Sequence, residues 1–389
     1  MNNNVFHFPV LLDAICKLIE DLPVKSDLIY IDSTLGEGAH AKAILEKYDF
    51  LSLVGIERDP QILERAKQFL LVFKERITYF NDWFDNFFVN YPLNVKANFI
   101  LVDLGISMFH YKGSKKGFSF LEDEPLDMRL CSSSCSISAA EIVNTFSKYD
   151  LESLIYDLSN EHYSRRISKA IVEYRKIKKI ETTKELQAVI NKVYPFSKAK
   201  INPATKTFQA LRIYVNDELA RLKRSLPLWI ENLAKDGILA IITFHSIEDR
   251  IVKDFFRSLS CDLYAKISKK PIIPSFDEIK KNKPSRSAKL RALKKNMNSI
   301  SKIEFEVYCI LILILTVIVC FNIYLNFRYV VKLREFNHLD NEQENIIDDN
   351  LRLLTVIYEL ENINRIESFS FGELNLEKKA NEDINIFVE

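Results

Sequence analysis

The sequence lacks a Cys-x-x-Cys pair. Its 389 residues include six cysteines, none in a Cys-x-x-Cys pair and none with a histidine at the spacing of a zinc site. We therefore expect no metal site, and structural thiols in a reducing compartment. The N-terminal segment also lacks a basic stretch followed by an apolar run, so we expect no secretory signal.

Charge is balanced over the whole chain but not along it. The chain has 54 Lys and Arg against 53 Asp and Glu, whereas residues 330–389 have 6 against 14. The part before residue 330 is therefore basic, which suits a polyanionic partner, although an ordinary solvated surface is the alternative. Apolar residues make up 48%, enough for a packed core, and the length favours more than one module.

Short apolar runs alternate with helical patterns, which is typical of an α/β fold with a mostly parallel sheet. We predict strands at 28–32, 51–57, 98–103 and 237–245, and helices at 41–48, 60–73 and 208–235. Between residues 107 and 207 polar helical patterns, such as 151–158, 167–174 and 183–193, replace the strand signal. This stretch is too long for a loop, so we predict an inserted helical subdomain.

Residues 307–325 contain no charged side chain, over about the length that crosses a bilayer. We predict a transmembrane helix, with a buried core helix as the alternative. Basic residues flank both ends, so orientation is inferred from the missing export signal, which favours a cytoplasmic N-terminal part. Between residues 329 and 360 apolar side chains recur at three- and four-residue steps, a weak coiled-coil pattern that a solitary amphipathic helix could also give.

The segment YIDSTLGEGAH, from Tyr30 to His40, places a Gly-x-Gly turn directly after a predicted strand. Glycine at Gly36 and Gly38 permits a tight turn and close approach of a ligand. Glu57 ends the next strand, about 20 residues on, where an acidic side chain can bind ribose hydroxyls. Because the full Gly-x-Gly-x-x-Gly spacing is absent, a nucleoside ligand such as S-adenosylmethionine fits better than a dinucleotide.

Two further strand ends carry candidate catalytic residues. Asp103 ends the third predicted strand, at the edge where ligands bind in open parallel sheets, although a solvated strand-end aspartate is the alternative. His245 follows the fourth strand in the segment FHSIEDR and could assist proton transfer, or belong to a structural ion-pair cluster. Candidate contacts to RNA phosphates are Lys206, Arg212, Arg250, Arg286 and Lys289.

Taken together, these residues resemble the MraW/RsmH family of small-subunit ribosomal RNA cytosine-N4 methyltransferases. Matching segments lie between Phe6 and Leu293 and include YIDSTLGEGAH, ILVDLGIS, KGFSFLEDEPLDMRL and NPATKTFQALRIYVNDEL. The resemblance implies a Rossmann-like class I methyltransferase core with an inserted helical subdomain. It also implies S-adenosylmethionine as cofactor and a target cytosine in the decoding region of 16S ribosomal RNA, within the 30S subunit.

Carried over by position, the family's cofactor contacts fall on Gly38, Ala39, His40, Glu57, Phe84, Asp103 and His110. Three of them depart from the usual family residue: Ala39 replaces glycine, Glu57 replaces aspartate and His110 replaces glutamine. The Pro-Pro-aromatic loop of DNA amino-methyltransferases is missing after Asp103. This absence disfavours a DNA substrate and leaves the general base unassigned.

We therefore predict a methyltransferase core from 1–106 and 208–296, an inserted subdomain at 107–207, a linker at 297–306, a transmembrane helix at 307–325 and a tail at 326–389. The last two resemble in topology the cell-division protein FtsL, which implies one pass through the bacterial inner membrane, the C-terminus outside and a coiled-coil division partner. A division scaffold with a decayed methyltransferase domain is the alternative, and intact Gly36, Gly38, Glu57 and Asp103 argue against it.

Overall fold

The computed structural model of the protein describes residues 8–23, 26–131, 137–194, 202–296 and 302–374. The chain divides into two compact units, Met1–Ser299 and Ile300–Glu389. Cys135, residues 297–301 of the predicted linker and residues 375–389 of the predicted tail lie outside the described residues.

The described part of the first unit contains a seven-stranded sheet and helices on both of its faces. The strands are β1 Leu28–Asp32, β2 Leu51–Ile56, β3 Ile77–Phe80, β4 Ala97–Asp103, β5 Leu233–Thr243, β6 Tyr264–Lys266 and β7 Lys289–Lys295. The helices are α1 Leu12–Glu20, α2 Ala39–Lys47, α3 Pro60–Phe69, α4 Phe84–Asn90, α5 Met108–Lys112, α6 Ala139–Thr145, α7 Lys148–Ser159, α8 Ser164–Arg175, α9 Thr183–Asn191, α10 Thr205–Val215, α11 Glu218–Glu231, α12 Ser246–Ser258 and α13 Phe276–Lys281, with 3-10 helices at Leu71–Arg76 and Lys283–Ser287.

The strands lie in the order β3-β2-β1-β4-β5-β7-β6. Strands β1 to β5 pair in parallel, and β7 runs antiparallel to both β5 and β6. This arrangement confirms the predicted Rossmann-like α/β class. The chain order reverses between β1 and β4, and in open parallel sheets such a reversal leaves a ligand-binding crevice at the carboxyl ends of the strands.

The central strands have apolar side chains on both faces. They therefore form continuous apolar runs, which are easy to recognise in the sequence. In β4 the four residues from Phe99 to Val102 are fully buried. One face packs in a cluster with α1, α2 and α3, and the other packs with α4, α11 and α12. The strands that form the crevice are thus packed by an apolar core on each face of the sheet.

A third apolar cluster joins helices α6 to α10 with the preceding segment, through residues such as Leu126, Leu151 and Ile167. Helix α10 packs there through Phe208 and Leu211, although the predicted boundary after residue 207 assigns it to the methyltransferase core. The single helix predicted at 208–235 is wrong, because the chain breaks between α10 and α11, where Asp217 has a φ of 53°.

The second unit contains α14 Lys302–Glu361 and α15 Ile363–Gly372. Helix α14 includes the apolar residues 307–325, and its side chains from residue 306 onward are exposed. Among the described residues it is the one helix that is long and apolar enough to cross a membrane, judged by length and composition.

Candidate active site

A cavity of about 550 Å³ lies at the carboxyl ends of β1 and β4, and we call it the main cavity. Its volume is within the range of small-molecule sites. One wall comes from segments 34–40 and 103–108, which follow those two strands. Segment 118–121 and helix α10 also line the cavity. The cavity therefore brings the glycine-rich turn, Asp103 and the helical subdomain to one place.

The two glycines of the turn have different surroundings. Gly36 and Gly38 both have left-handed backbone conformations, with φ of 55° and 87°. A Cβ atom on Gly38 would lie 2.8 Å from Leu70 Cδ1, whereas one on Gly36 would only touch the Thr34 carbonyl oxygen, at 3.9 Å. Glycine at 38 is therefore required by the turn and by packing against Leu70, which the expectation of close ligand approach did not include.

Glu57 connects the end of β2 to the glycine-rich turn. Its Oε2 accepts a hydrogen bond of 3.0 Å from the Gly36 backbone N–H, and Oε1 accepts one of 2.9 Å from that of Asp59. The side chain is only 6% exposed. Each carboxylate oxygen has a second lone pair, so Glu57 can still accept bonds from ligand hydroxyls.

Asp103 is held by the loops around it. Its backbone N–H donates to Thr34 Oγ1 at 2.7 Å, and its Oδ1 accepts from the Gly105 N–H at 2.9 Å. His40 Nδ1 lies 3.8 Å from Asp103 Oδ2, while His40 Nε2 lies 2.9 Å from the carbonyl oxygen of Val10. That carbonyl can only accept, so Nε2 carries the hydrogen and neutral His40 leaves Nδ1 as an acceptor. Burial lowers the pKa of His40, which favours this neutral form.

Asp32, at the end of β1, is a buried carboxylate next to the glycine-rich turn that the sequence analysis did not single out. The side chain is 2% exposed and accepts bonds from the Tyr30 hydroxyl at 2.8 Å and the Thr34 N–H at 3.2 Å. Burial raises the pKa of its carboxyl to about 6. The sequence pattern indicates that Asp32 ends a strand. It does not indicate that this strand lies at the reversal of the strand order.

Six of the seven predicted cofactor contacts fall into three groups. Ala39, His40 and Asp103 line the main cavity. Glu57 and Phe84 line a narrow cleft that shares Thr34 with the main cavity. Gly38 lines neither space, and its left-handed backbone and its packing against Leu70 maintain the turn.

His110 lines none of these spaces. It is 1% exposed, and its Nε2 lies 3.2 Å from Asp59 Oδ2. Burial lowers the pKa of His110. Asp59 in turn caps α3 by accepting from the Gln61 N–H, so His110 supports a helix start at this point of the fold.

His245 caps a helix. Its Nδ1 accepts from the Glu248 N–H at 3.4 Å, and Glu248 Oε2 accepts from the His245 backbone N–H at 3.3 Å. This is a capping box at the start of α12. These contacts agree with the alternative given for the segment FHSIEDR, a structural cluster of ionisable side chains. His245 nevertheless also lines the main cavity.

Three of the five cationic candidates are occupied by partners within the protein. Arg212 makes two bonds of 3.0 and 2.9 Å to Glu218. Lys206 donates to the carbonyl of Asn160, and Lys289 lies 3.3 Å from Asp249, which also pairs with Arg291.

The other two candidates, Arg250 and Arg286, are exposed. Neither makes an ion pair with any residue that the structure describes. They are therefore the members of the set that remain available to a phosphate.

Comparison with known proteins gives the family. Residues 4–296 match the MraW methylase family. Over 295 residues, 76% of this chain and 100% of the relative, the sequence is 98% identical to "Ribosomal RNA small subunit methyltransferase H" of Borrelia garinii subsp. bavariensis. The protein of the same name in Borrelia hermsii is 63% identical over 292 residues, 75% of this chain and 98% of the relative.

A crystal structure described as an rRNA methylase from Streptococcus thermophilus covers 72% of this chain and 95% of its own, at 10% identity and a TM-score of 0.35. This structural likeness is too low to carry an argument, whereas the family match covers three quarters of the sequence. The chain belongs to the MraW methylase family.

Proposed function

We propose that this methyltransferase transfers a methyl group from S-adenosylmethionine to the exocyclic amine of a cytosine in the decoding region of 16S ribosomal RNA, within the 30S subunit. The observation that carries the proposal is the identity of 98% over the whole length of a relative named as a small-subunit ribosomal RNA methyltransferase. The main cavity, built from a glycine-rich turn and a strand-end carboxylate, supports it independently.

The residues around Thr34 fit a nucleoside cofactor. Glu57 has acceptor capacity for ribose hydroxyls, and Phe84 offers an aromatic surface in the same cleft. Ala39 and His40 line the adjoining main cavity. When bound, the cofactor supplies an electrophilic methyl group. The chain's own residues hold it, orient the target amine and keep bulk water from the cavity.

We propose Asp103 as the residue that orients the target amine. The lone pair of a cytosine amine is delocalised into the ring, so a hydrogen bond from the amine to a carboxylate helps to make it available. Asp103 lines the main cavity, and the Gly105 N–H holds its carboxylate in place by donating to Oδ1 at 2.9 Å. His245 is less suited to this role, because its Nδ1 is used in the helix cap.

The test is methyl transfer from labelled S-adenosylmethionine to 30S subunits from a strain without the endogenous enzyme. We expect label in N4-methylcytosine after nucleoside analysis, and Asp103→Asn should lower the rate by about 100-fold or more. The negative control is the same assay with DNA as acceptor. Label found only in DNA or in protein would contradict the proposal.

A second proposal concerns the C-terminal unit. The uncharged residues 307–325 lie within one exposed helix and outside the matched family segment. We propose that they cross the bacterial inner membrane once, with the methyltransferase in the cytoplasm and a coiled coil at 329–360 outside, where it meets a division protein. Protease added to spheroplasts should remove the tail and spare the methyltransferase. A full-length chain found in the soluble fraction would overturn this topology.

A further inference from the structure

A second cavity, of about 310 Å³, adjoins the main one, and we call it the basic cavity. Arg286 and Lys289 line it, together with Ser246 at the start of α12. Phe244, His245 and Ser287 line both cavities. The two spaces therefore meet at the Phe244–His245 segment, and a ligand could occupy both by passing across it.

Phe244 is held in a defined position at this junction. Its backbone N–H donates to Glu248 Oε2, and Glu248 is itself buried. A Cβ atom on Gly105 would lie 2.9 Å from the Phe244 ring, so the ring rests directly on the Gly105 backbone. The three residues after Asp103 carry no aromatic side chain. Phe244 thus supplies an aromatic surface beside Asp103 from a different strand, and a half-buried ring of this kind can stack with a base.

Gln209, on helix α10, also lines the main cavity. The side chains next to it are engaged: Phe208 contacts the Phe120 ring at 5.1 Å, and Arg212 pairs with Glu218. The Gln209 amide makes no hydrogen bond with any described residue. An amide with a donor and an acceptor can read the Watson–Crick edge of an unstacked base.

Arg286 is the available cation of the basic cavity. Lys289, the other cation there, lies 3.3 Å from Asp249, whereas Arg286 has no ion pair in the described part of the chain. A guanidinium group beside serine hydroxyls is suited to a phosphate.

We propose that the target nucleotide lies across Phe244, with its base in the main cavity between Phe244 and Gln209 and its phosphate in the basic cavity at Arg286. This inference rests on the proposed function and specifies how the same site takes its substrate. The base enters unstacked, because an amine that is still stacked and paired within an RNA helix could not reach Asp103 in the main cavity.

The test compares four variants of the full-length chain: Phe244→Leu, Phe244→Tyr, Gln209→Leu and Arg286→Gln. Loss of stacking in Phe244→Leu should lower kcat/KM for 30S subunits by about 10- to 100-fold, and Phe244→Tyr should recover most of that loss. Arg286→Gln should reduce the slope of log KM against log salt by about 0.7, the value for one phosphate contact on single-stranded nucleic acid. None of the variants should change cofactor affinity in calorimetry, a readout that also detects misfolding.

The matched control is Lys74→Gln, which removes one exposed positive charge beside β3, the edge strand on the far side of the sheet from β7. It should leave both kcat/KM and the salt slope unchanged. Phe244 also packs against the core, so Gln209→Leu and Arg286→Gln provide arms of the test that do not depend on core packing.

The outcomes separate this inference from the proposed function. Wild-type kcat/KM in Phe244→Leu and Gln209→Leu, with an unchanged salt slope in Arg286→Gln, would overturn the nucleotide position while ribosomal RNA methylation by the wild-type chain still stood. A wild-type chain that labels no ribosomal RNA would overturn both. An equal loss in Phe244→Leu and Phe244→Tyr would refute stacking in particular.

Discussion

Replacing Asp32 by asparagine changes a single buried carboxyl, and its effect on stability should depend on pH. Asp32 is 2% exposed, and burial raises its pKa from 3.8 to about 6. Between these two values the native protein keeps a proton that the unfolded chain has released. The native state is therefore favoured at low pH, and this contribution is lost as pH rises through about 6.

The size of the effect follows from the shift. A difference of about 2 pH units, at about 1.4 kcal/mol for each, gives roughly 3 kcal/mol that wild-type protein loses between pH 4 and pH 7 relative to a chain that cannot titrate there. The substituted asparagine cannot titrate, but it offers one oxygen to two donors, Tyr30 and Thr34. That mismatch should cost about 1–3 kcal/mol at every pH. Asp32→Asn should therefore be destabilising at pH 4 and become relatively less so as pH rises.

Urea unfolding of the 1–296 fragment, from pH 4 to pH 7, measures this difference. The fragment matches the length of relatives that align over their whole sequence. His40 and Asp103, the ionisable neighbours that affect Asp32, are present in both proteins. The control is Asp49→Asn, at an exposed aspartate. A difference between wild type and Asp32→Asn that is the same at every pH would refute the reasoning.

Three further predictions concern ligand binding. Glu57→Ala should weaken S-adenosylmethionine binding by about 10- to 100-fold in calorimetry, because bonds to a charged carboxylate are lost; unchanged affinity would contradict the ribose assignment. Gly105→Ala places a Cβ 2.9 Å from the aromatic ring that rests on it, so kcat should fall while the melting temperature changes little; unchanged kcat would contradict the role of that contact. Arg250→Gln combined with Arg286→Gln should lower the salt slope of RNA binding by about 1.4, whereas Lys206→Gln should leave it unchanged; equal effects would show that the exposed pair is not special.

The central strands could be predicted because their residues are buried on both faces. Strand β1 has the predicted bounds, and the predicted strands corresponding to β2, β4 and β5 overlap the observed ones. Strands β3, β6 and β7 were missed. Strands β3 and β6 are four and three residues long, and β7, KLRALKK, alternates cations with apolar residues at the outer part of the sheet. Such strands form because an adjacent strand of the sheet provides their hydrogen bonds. That strand is not part of the local sequence, so the local pattern does not predict them.

The candidate site divides in the same way. Motif positions predicted Asp103 and His40 as site residues, and both line the main cavity, since a strand end in a parallel sheet has a known location. No pattern in the sequence indicates that Phe244 rests on Gly105 or that Gln209 lines the same cavity as Asp103. Both depend on how α10 and the end of β5 pack against the sheet, and such tertiary packing does not follow from a local sequence pattern.

The cationic residues show most clearly what cannot be predicted from the sequence. The sequence identifies a basic domain and five candidate cations, but it does not identify their partners. Asp249 binds Arg291 from 42 positions away, and Glu218 accepts two hydrogen bonds from Arg212. A cation held in this way has already exchanged water for a carboxylate, so moving it to a phosphate would leave a carboxylate unpaired in a partly buried position. Affinity for a polyanion should therefore follow the cations left over after internal pairing, such as Arg286, and the net charge of the domain overstates it.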